Sequence, residues 1–186
     1  DVLFVFGLAG MIIGSLHAIR EKNINRMVAF SSAAQIGYIY AAIGLGSESG
    51  LAAAVFHMMT HALTKPLLFT AADGLIDAVG NRKDFASLRG SAHLIRLAGI
   101  GFTVGSLSMV GLPAFSGFVS KLLIAEASTN VAGKMLATLI VLSVSTILNA
   151  VYFLHTVITI YTPRTPDLPV YDVMKNRKGL FAVYVC

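Results

Sequence analysis

The sequence has little charge and almost no cysteine. Only 12% of its 186 residues are Asp, Glu, Lys or Arg, whereas ordinary soluble domains carry about 25%. The single cysteine, Cys186, excludes an intrachain disulfide and a cysteine cluster. Apolar residues make up 56% of the chain, which predicts an integral membrane protein. We therefore expect the net charge of +5 to set membrane orientation, with a lipid bilayer and not a nucleic acid as the partner.

The chain begins with Asp1, which leads directly into an apolar segment. No charged region or cleavage site precedes that segment, so we predict a piece of a longer polypeptide and not a signal peptide. The sequence also shows no nucleotide, flavin or iron–sulfur motif. We therefore expect no cofactor, and no catalysis from this chain alone.

Five long apolar segments predict an all-α membrane fold. They span residues 2–19, 28–45, 51–79, 94–128 and 135–161. The third and fourth are longer than the roughly 20 residues that one crossing needs. We therefore predict a kink in the third at Pro66 and a break in the fourth at Gly111–Gly117. Residues 162–186 contain three prolines and are predicted to form a cytoplasmic linker that leads into a further, truncated helix.

The connections between these segments alternate in charge. The first, the third and the tail are basic, whereas the second holds only Glu48 and the fourth only Lys134. Basic loops face the cytoplasm, so we predict that Asp1 and Glu48 lie outside and that the third connection and the tail lie inside. Only Lys65 and Lys121 then remain as basic residues within the bilayer.

His57, His61 and Lys65 follow one another at steps of four, which places their side chains on one face of a helix. A lysine near the middle of a membrane span is costly and typically marks an ion pathway. Histidine accepts and donates protons near neutral pH, so the pair predicts a proton relay to Lys65. Helix packing through hydrogen bonds is the alternative role for the histidines. Asp73, eight residues past Lys65, is expected either to feed protons to this stripe or to cap an interfacial helix end.

Lys121 follows the predicted break in the fourth segment. Broken membrane helices are tolerated where they line a cavity or lie buried in protein, so Lys121 predicts a second ionisable site. Ser116 and Ser120 are positioned to hold water beside it. Glu126 lies toward the outer end, where it is either a residue at the mouth of the path or an interfacial one.

Other roles for the histidines fit the sequence less well. The stretch HMMTH has the spacing of two zinc ligands, but it lacks the glutamate of the HExxH motif and a third ligand nearby. Haem ligation in a redox subunit needs histidines that face each other from different helices, whereas His57 and His61 share one helix. A structural membrane subunit that only packs against partners, without transport activity of its own, is the alternative to transport.

Three motifs resemble one family of membrane proteins. They are NRMVAFSSAAQIGY at residues 25–38, FHMMTHALTKPLLF at 56–69 and GLPAFSGFVSK at 111–121. The same motifs, in the same order, are typical of the antiporter-like subunits of respiratory complex I, Mrp-type cation/proton antiporters and membrane-bound hydrogenases. Those subunits contain two five-helix repeats of inverted topology, and this chain is similar to the second repeat over residues 1–160.

The resemblance implies proton, or coupled cation/proton, translocation within a multisubunit complex in a bacterial or archaeal cell membrane. Lys65 matches the lysine of the ladder helix, His57 and His61 the histidines before it, and Lys121 the charged residue of the broken helix. A lysine at position 121 is most similar to the Mrp D-type subunit, since some members have glutamate there. The implied partners are other membrane subunits, which supply the driving energy, and the first repeat of the same chain, which carries a glutamate–lysine pair.

Overall fold

The computed structural model describes residues 1–163, which form seven α-helices and no β-strand. The helices are α1 (Val2–Arg20), α2 (Ile24–Gly44), α3 (Glu48–Ala78), α4 (Ser91–Leu94), α5 (Arg96–Val110), α6 (Ser116–Thr129) and α7 (Ala132–Tyr161). The predicted all-α class is therefore confirmed. The predicted linker and the further helix fall on residues 162–186, of which 164–186 lie outside the described residues.

Within residues 1–163, the helices α1, α2 and α7 are long and apolar enough to cross a membrane. Helix α3 is longer, at 31 residues, but it contains Lys65 and two aspartates, which reduce its hydropathy. It continues through Pro66 without a break in the helix. The fourth predicted segment is divided into the 15-residue α5 and the 14-residue α6, and the short helix α4, which the sequence analysis did not anticipate, precedes them.

Helices α1 and α2 form an antiparallel hairpin in which the two backbones touch. A Cβ atom on Gly7 would lie 2.3 Å from the backbone nitrogen of Ala41, and one on Gly37 would lie 2.5 Å from that of Met11. Only glycine permits this approach, and small residues at helix contacts are a general feature of membrane proteins. Asn23 caps α2, because its side chain accepts hydrogen bonds from two backbone N–H groups of the first turn.

The bundle has two ends, and the loops of each end are tied together. At one end, Lys134 Nζ lies 2.8 Å from Asp1 Oδ1 and donates to the Gly44 carbonyl at 2.8 Å, which joins the starts of α7 and α1 to the end of α2. At the opposite end, the Ile24 N–H donates to the Lys83 carbonyl at 3.1 Å, which joins the first and third connections. The basic residues that flank the helices gather at this second end, which we call the basic end: Arg20, Lys22, Arg26, Arg82, Lys83, Arg89 and Arg96.

Helix α3 is the central element, since it contacts α2, α5 and α6. Helix α7 packs against α1, α5 and α6 and closes the bundle on the other side. The face that α7 turns inward is polar, with buried side chains at Ser145, Asn149, Tyr152 and Thr156. These positions follow the helical repeat, so one stripe of α7 brings hydrogen-bonding groups into the interior.

Candidate functional site

Lys65 lies in the middle of α3, and its side chain is buried, with 5% exposure. Its ammonium group donates hydrogen bonds to the Ser31 hydroxyl and, at 2.9 Å, to the Val28 carbonyl, both on α2. Within residues 1–163, the carboxylates found in ion pairs are Glu21, which pairs with Arg26, and Asp1, which pairs with Lys134. Neither of them pairs with Lys65. Its charge faces a hydroxyl and a carbonyl dipole, and backbone carbonyls are common partners of charged side chains inside membrane proteins.

Lys121 lies on the second turn of α6 and is also buried, with 7% exposure. Its ammonium group donates to the Met109 carbonyl at 3.1 Å and to the Val110 carbonyl at 2.7 Å. These are the last residues of α5, and the carboxyl end of a helix carries a partial negative charge that attracts cations. The ammonium group also lies 5.4 Å from the centre of the Tyr38 ring, within range of a cation–π interaction.

The break between α5 and α6 is what supplies the acceptors for Lys121. In an unbroken helix the Met109 carbonyl accepts from the N–H four residues later, but that residue is Pro113, which has no N–H. Gly111 and Ala114 have φ angles of +85° and +86°, so the backbone leaves the helical path between them. Pro113 therefore accounts for the free Met109 carbonyl, and the departure of the backbone from the helical path accounts for the free Val110 carbonyl.

The two predicted histidines lie beside the break. The ring nitrogen Nδ1 of His57 is 2.9 Å from the Ser120 hydroxyl, so α3 and α6 are joined directly in front of Lys121. The His57 ring stacks on Tyr38 with 5.3 Å between ring centres. His61 lies one turn closer to Lys65 and interacts electrostatically with it, as His57 does with Lys121.

A small cavity connects the histidines with Lys121. Its volume is about 10 Å³, which corresponds to roughly one water position. The walls are formed by Gln35, His57, Thr60, His61, Ser108, Met109, Gly117 and Lys121. Three polar atoms among these residues are buried and have no hydrogen-bond partner in the described part of the chain: Gln35 Nε2, His57 Nε2 and His61 Nε2. Such atoms surround a site that suits a polar occupant.

Three of the predicted accessory residues lie away from this cavity. Asp73 is exposed and accepts a hydrogen bond from the Asn25 side chain at 3.0 Å, which places it near the basic end. Ser116 is exposed at the start of α6, and Glu126 is exposed near its end. Of the accessory set, only Ser120 is brought into contact with a predicted path residue.

A buried polar network that was not predicted from the sequence lies behind the site. The Tyr38 hydroxyl donates to Ser145 Oγ at 2.9 Å, and the Asn149 amide lies 3.4 Å from the same hydroxyl. Ser15 on α1 and Tyr152 on α7 complete the network. Asn149 and Tyr152 lie within the last apolar segment. A polar amide inside a membrane-spanning helix is typical of a hydrogen bond between helices, and this was the signal present in the sequence.

The chemical groups that meet at this site are amines, imidazoles and hydroxyls. No group of three or more His, Cys, Asp or Glu side chains within residues 1–163 is placed to hold a metal ion. What the described residues bring together is two buried lysines, two histidines and hydroxyl groups, all of which exchange protons.

Comparison with known proteins agrees with this interpretation. The sequence profile described as "NADH:quinone oxidoreductase/Mrp antiporter, TM" matches residues 1–148. The chain belongs to this family. It is therefore a membrane-embedded, antiporter-like chain, and the family predicted from the three motifs is confirmed.

Curated relatives are subunits of respiratory complexes. The chain is 35% identical over 169 residues to NADH-quinone oxidoreductase subunit N of Desulforudis audaxviator, which covers 90% of the chain and 33% of the relative. It is 36% identical over 124 residues to NADH-quinone oxidoreductase subunit L of Buchnera aphidicola, which covers 64% of the chain and 20% of the relative. The chain thus spans a third or less of these relatives.

Solved structures of two further complexes contain the same fold. A chain in the structure of the Mrp complex from Dietzia sp. matches with a TM-score of 0.83 and 30% identity, over 91% of this chain and 31% of that one. A chain of the archaeal membrane-bound sulfane sulfur reductase, described as a respiratory membrane complex, matches with a TM-score of 0.86 and 26% identity. The match covers 99% of this chain and 36% of that one. The relatives therefore share a setting as subunits of multisubunit membrane complexes.

Proposed function

We propose that this chain forms one proton-conducting repeat of an antiporter-like subunit, and that Lys65, His61, His57 and Lys121 are its path. The observation that carries the proposal is the junction of the ladder helix with the broken helix. There the His57–Ser120 hydrogen bond and the shared cavity bring the histidines of α3 against the lysine of α6.

The path runs along α3 and then crosses to α6. His61 and His57 each lie one helical turn beyond the preceding ionisable group, a rise of about 6 Å. That spacing is longer than a hydrogen bond, so a proton needs an intermediate polar group at each step. Thr60 and Gln35 line the cavity at this level and are suited to hold the intermediate.

Each lysine changes protonation during turnover in this mechanism. Lys65 passes a proton to His61, and the histidines pass it to Lys121, whose ammonium form is stabilised by the two carbonyls at the end of α5. Protonation of one site raises the free energy of protonating the neighbouring site, because like charges repel each other. No carboxylate within residues 1–163 forms an ion pair with either lysine to offset this repulsion. This repulsion couples the steps.

We also propose the orientation and the partners. The basic end of the bundle faces the cytoplasm, because its loops hold the Arg and Lys residues that remain inside. The energy for transport comes from neighbouring membrane subunits, as the relatives are parts of NADH-quinone oxidoreductases, an Mrp complex and a sulfane sulfur reductase. The remaining parts of the same subunit, including a first repeat, complete the path.

The test is proton transport by the complete parent complex reconstituted in liposomes. We expect Lys65→Ala and Lys121→Ala each to reduce proton uptake at least about 100-fold, the scale on which a proton-transfer group contributes. Lys65→Arg is expected not to rescue transport, since arginine stays protonated. Assembly of each variant is checked by recovery of the intact complex.

The matched control is Lys83→Ala, which removes an exposed lysine at the basic end. Its transport should equal that of the unchanged complex. Normal proton uptake by an assembled Lys65→Ala complex would refute the proposed function.

A further inference from the structure

Two adjoining cavities open at the basic end, away from His57 and His61. The outer one has a volume of about 310 Å³ and is lined by Phe85, Ala86, Arg89, His155, Thr159 and Thr162. The inner one, of about 220 Å³, shares Phe85 and His155 with it and reaches further in, to Tyr152 and Thr156. A water molecule takes about 30 Å³ in the liquid, so each cavity has room for several. We call the two together the vestibule.

The inner end of the vestibule is the Tyr152 side chain, which is 4% exposed. Met27 also lines the inner cavity, and Ser31, four residues later on α2, lies on the same helix face. The Tyr152 hydroxyl interacts with the Ser31 side chain and donates to Asn149 Oδ1. Ser31 in turn accepts a hydrogen bond from the Lys65 ammonium. Tyr152 thus lies between the inner cavity and Ser31, the hydroxyl that accepts a hydrogen bond from Lys65.

Ionisable side chains line both cavities of the vestibule. Glu21 lines the inner cavity and forms an ion pair with Arg26 at 2.9 Å. His155 lines both cavities and packs edge-on against Phe85. An imidazole and a carboxylate thus line the vestibule, and both form hydrogen bonds with water.

We propose that the vestibule is the route by which protons from the basic end reach Lys65, and that the Tyr152 hydroxyl is the transfer group at its inner end. This rests on the proposed function, because it assigns an access route to the same lysine. It adds a route through α1, α2 and α7 that is separate from the histidine path between α3 and α6.

The transfer step conserves protons and hydroxyl groups. A hydronium ion in the vestibule gives a proton to the Tyr152 oxygen, whose own proton turns from Asn149 to the Ser31 oxygen. Ser31 then gives up its proton, which had pointed at the Val28 carbonyl, to the neutral Lys65 amine. The result is one ammonium group on Lys65, one water in the vestibule, and both hydroxyls restored.

The first test is Tyr152→Phe in the complete complex. This change removes the hydroxyl but keeps the ring that packs against Phe153. We expect proton transport to fall at least about tenfold, a change of roughly 1.4 kcal/mol in the barrier. The control is Tyr40→Phe, which removes the hydroxyl of an exposed tyrosine on α2 and should leave transport unchanged.

The second test blocks the vestibule chemically. In a Cys186→Ser background, His155→Cys is treated with a membrane-impermeant thiol reagent from the side of the basic loops, and transport is compared before and after treatment. We expect labelling to reduce transport about tenfold, the same barrier change as above. Arg82→Cys, in the exposed third connection at the same end, should be labelled without loss of transport.

The outcomes separate this inference from the function on which it rests. Loss of transport in Tyr152→Phe and after labelling of His155→Cys, together with loss in Lys65→Ala, supports both. Transport that is unaffected by both vestibule changes but abolished by Lys65→Ala overturns the access route and leaves the proposed function standing. Full transport in Lys65→Ala overturns both.

Discussion

Gly117→Ala is the substitution that tests most directly whether the geometry of the helix break matters. A Cβ atom on Gly117 would lie 1.7 Å from the Ser108 carbonyl oxygen and 2.8 Å from its carbon. Both are backbone atoms of α5, so no side-chain rotation relieves the contact. To reach ordinary contact distance, α6 must move away from α5 by about 1.5 Å or more.

This displacement of α6 also moves Lys121, which lies one turn after Gly117 on the same face of the helix. Its hydrogen bonds to Met109 and Val110 are 3.1 and 2.7 Å long, and both exceed bonding distance after such a shift. Overpacking costs about 1–3 kcal/mol, and each lost bond to a charged group costs about 1.5–3 kcal/mol. We therefore expect a complex with lower thermal stability and with proton transport reduced as far as in Lys121→Ala.

The assay compares Gly117→Ala with Gly133→Ala in the reconstituted complex. Gly133 is at the start of α7, and a Cβ atom there has no heavy atom within 4 Å. The same chemical change is therefore expected to leave transport and melting temperature unchanged at position 133. If Gly117→Ala transports protons as well as Gly133→Ala, the close approach of α5 and α6 has no role in the path.

Three further results are expected. His57→Gln and His61→Gln should each slow transport and shift its pH dependence, because glutamine does not titrate; an unchanged rate in the double variant would return the histidines to a packing role. Lys121→Glu should retain part of the transport lost in Lys121→Ala, as measured by proton uptake, because glutamate also exchanges a proton; equal loss in the two variants would contradict this. Cysteines placed at Glu48 and Arg82 should label from opposite sides of the membrane, and labelling from one side only would refute the orientation.

Charged residues and prolines in the apolar segments were enough to predict much of the fold and of the site. A lysine within an apolar helix has few tolerated positions, so Lys65 and Lys121 were expected to face protein or a water-filled cavity, and the structure buries both side chains. Pro113 removes a backbone donor wherever it stands in a helix, and the helices α5 and α6 separate around it. A charged side chain in an apolar helix and a missing backbone N–H group each affect the helix in which they occur, so both can be recognised from the sequence alone.

The partners of the lysines were not predictable in the same way. The carbonyls of Val28, Met109 and Val110 bind the ammonium groups, but every residue has a backbone carbonyl, and its availability depends on the tertiary structure. The stacking of Tyr38 on His57 likewise depends on how α2 packs against α3. A tyrosine in an apolar helix is compatible with an inward or a lipid-facing position, so the sequence did not distinguish the two.

The two lysines are held by different kinds of acceptor, and the difference explains why only one of them needs a broken helix. Lys65 binds the Val28 carbonyl and the Ser31 hydroxyl inside the continuous helix α2. The Val28 carbonyl also accepts hydrogen bonds from the hydroxyls of Ser31 and Ser32. Lys121 binds carbonyls that the end of α5 leaves without helical donors, so its acceptors exist only because the helix stops. A charge at Lys65 competes for a shared carbonyl, whereas a charge at Lys121 occupies carbonyls that are otherwise unpaired in the described chain. The two ammonium groups therefore depend on different structures: Lys65 on a shared carbonyl and a hydroxyl of an intact helix, and Lys121 on the end of a helix.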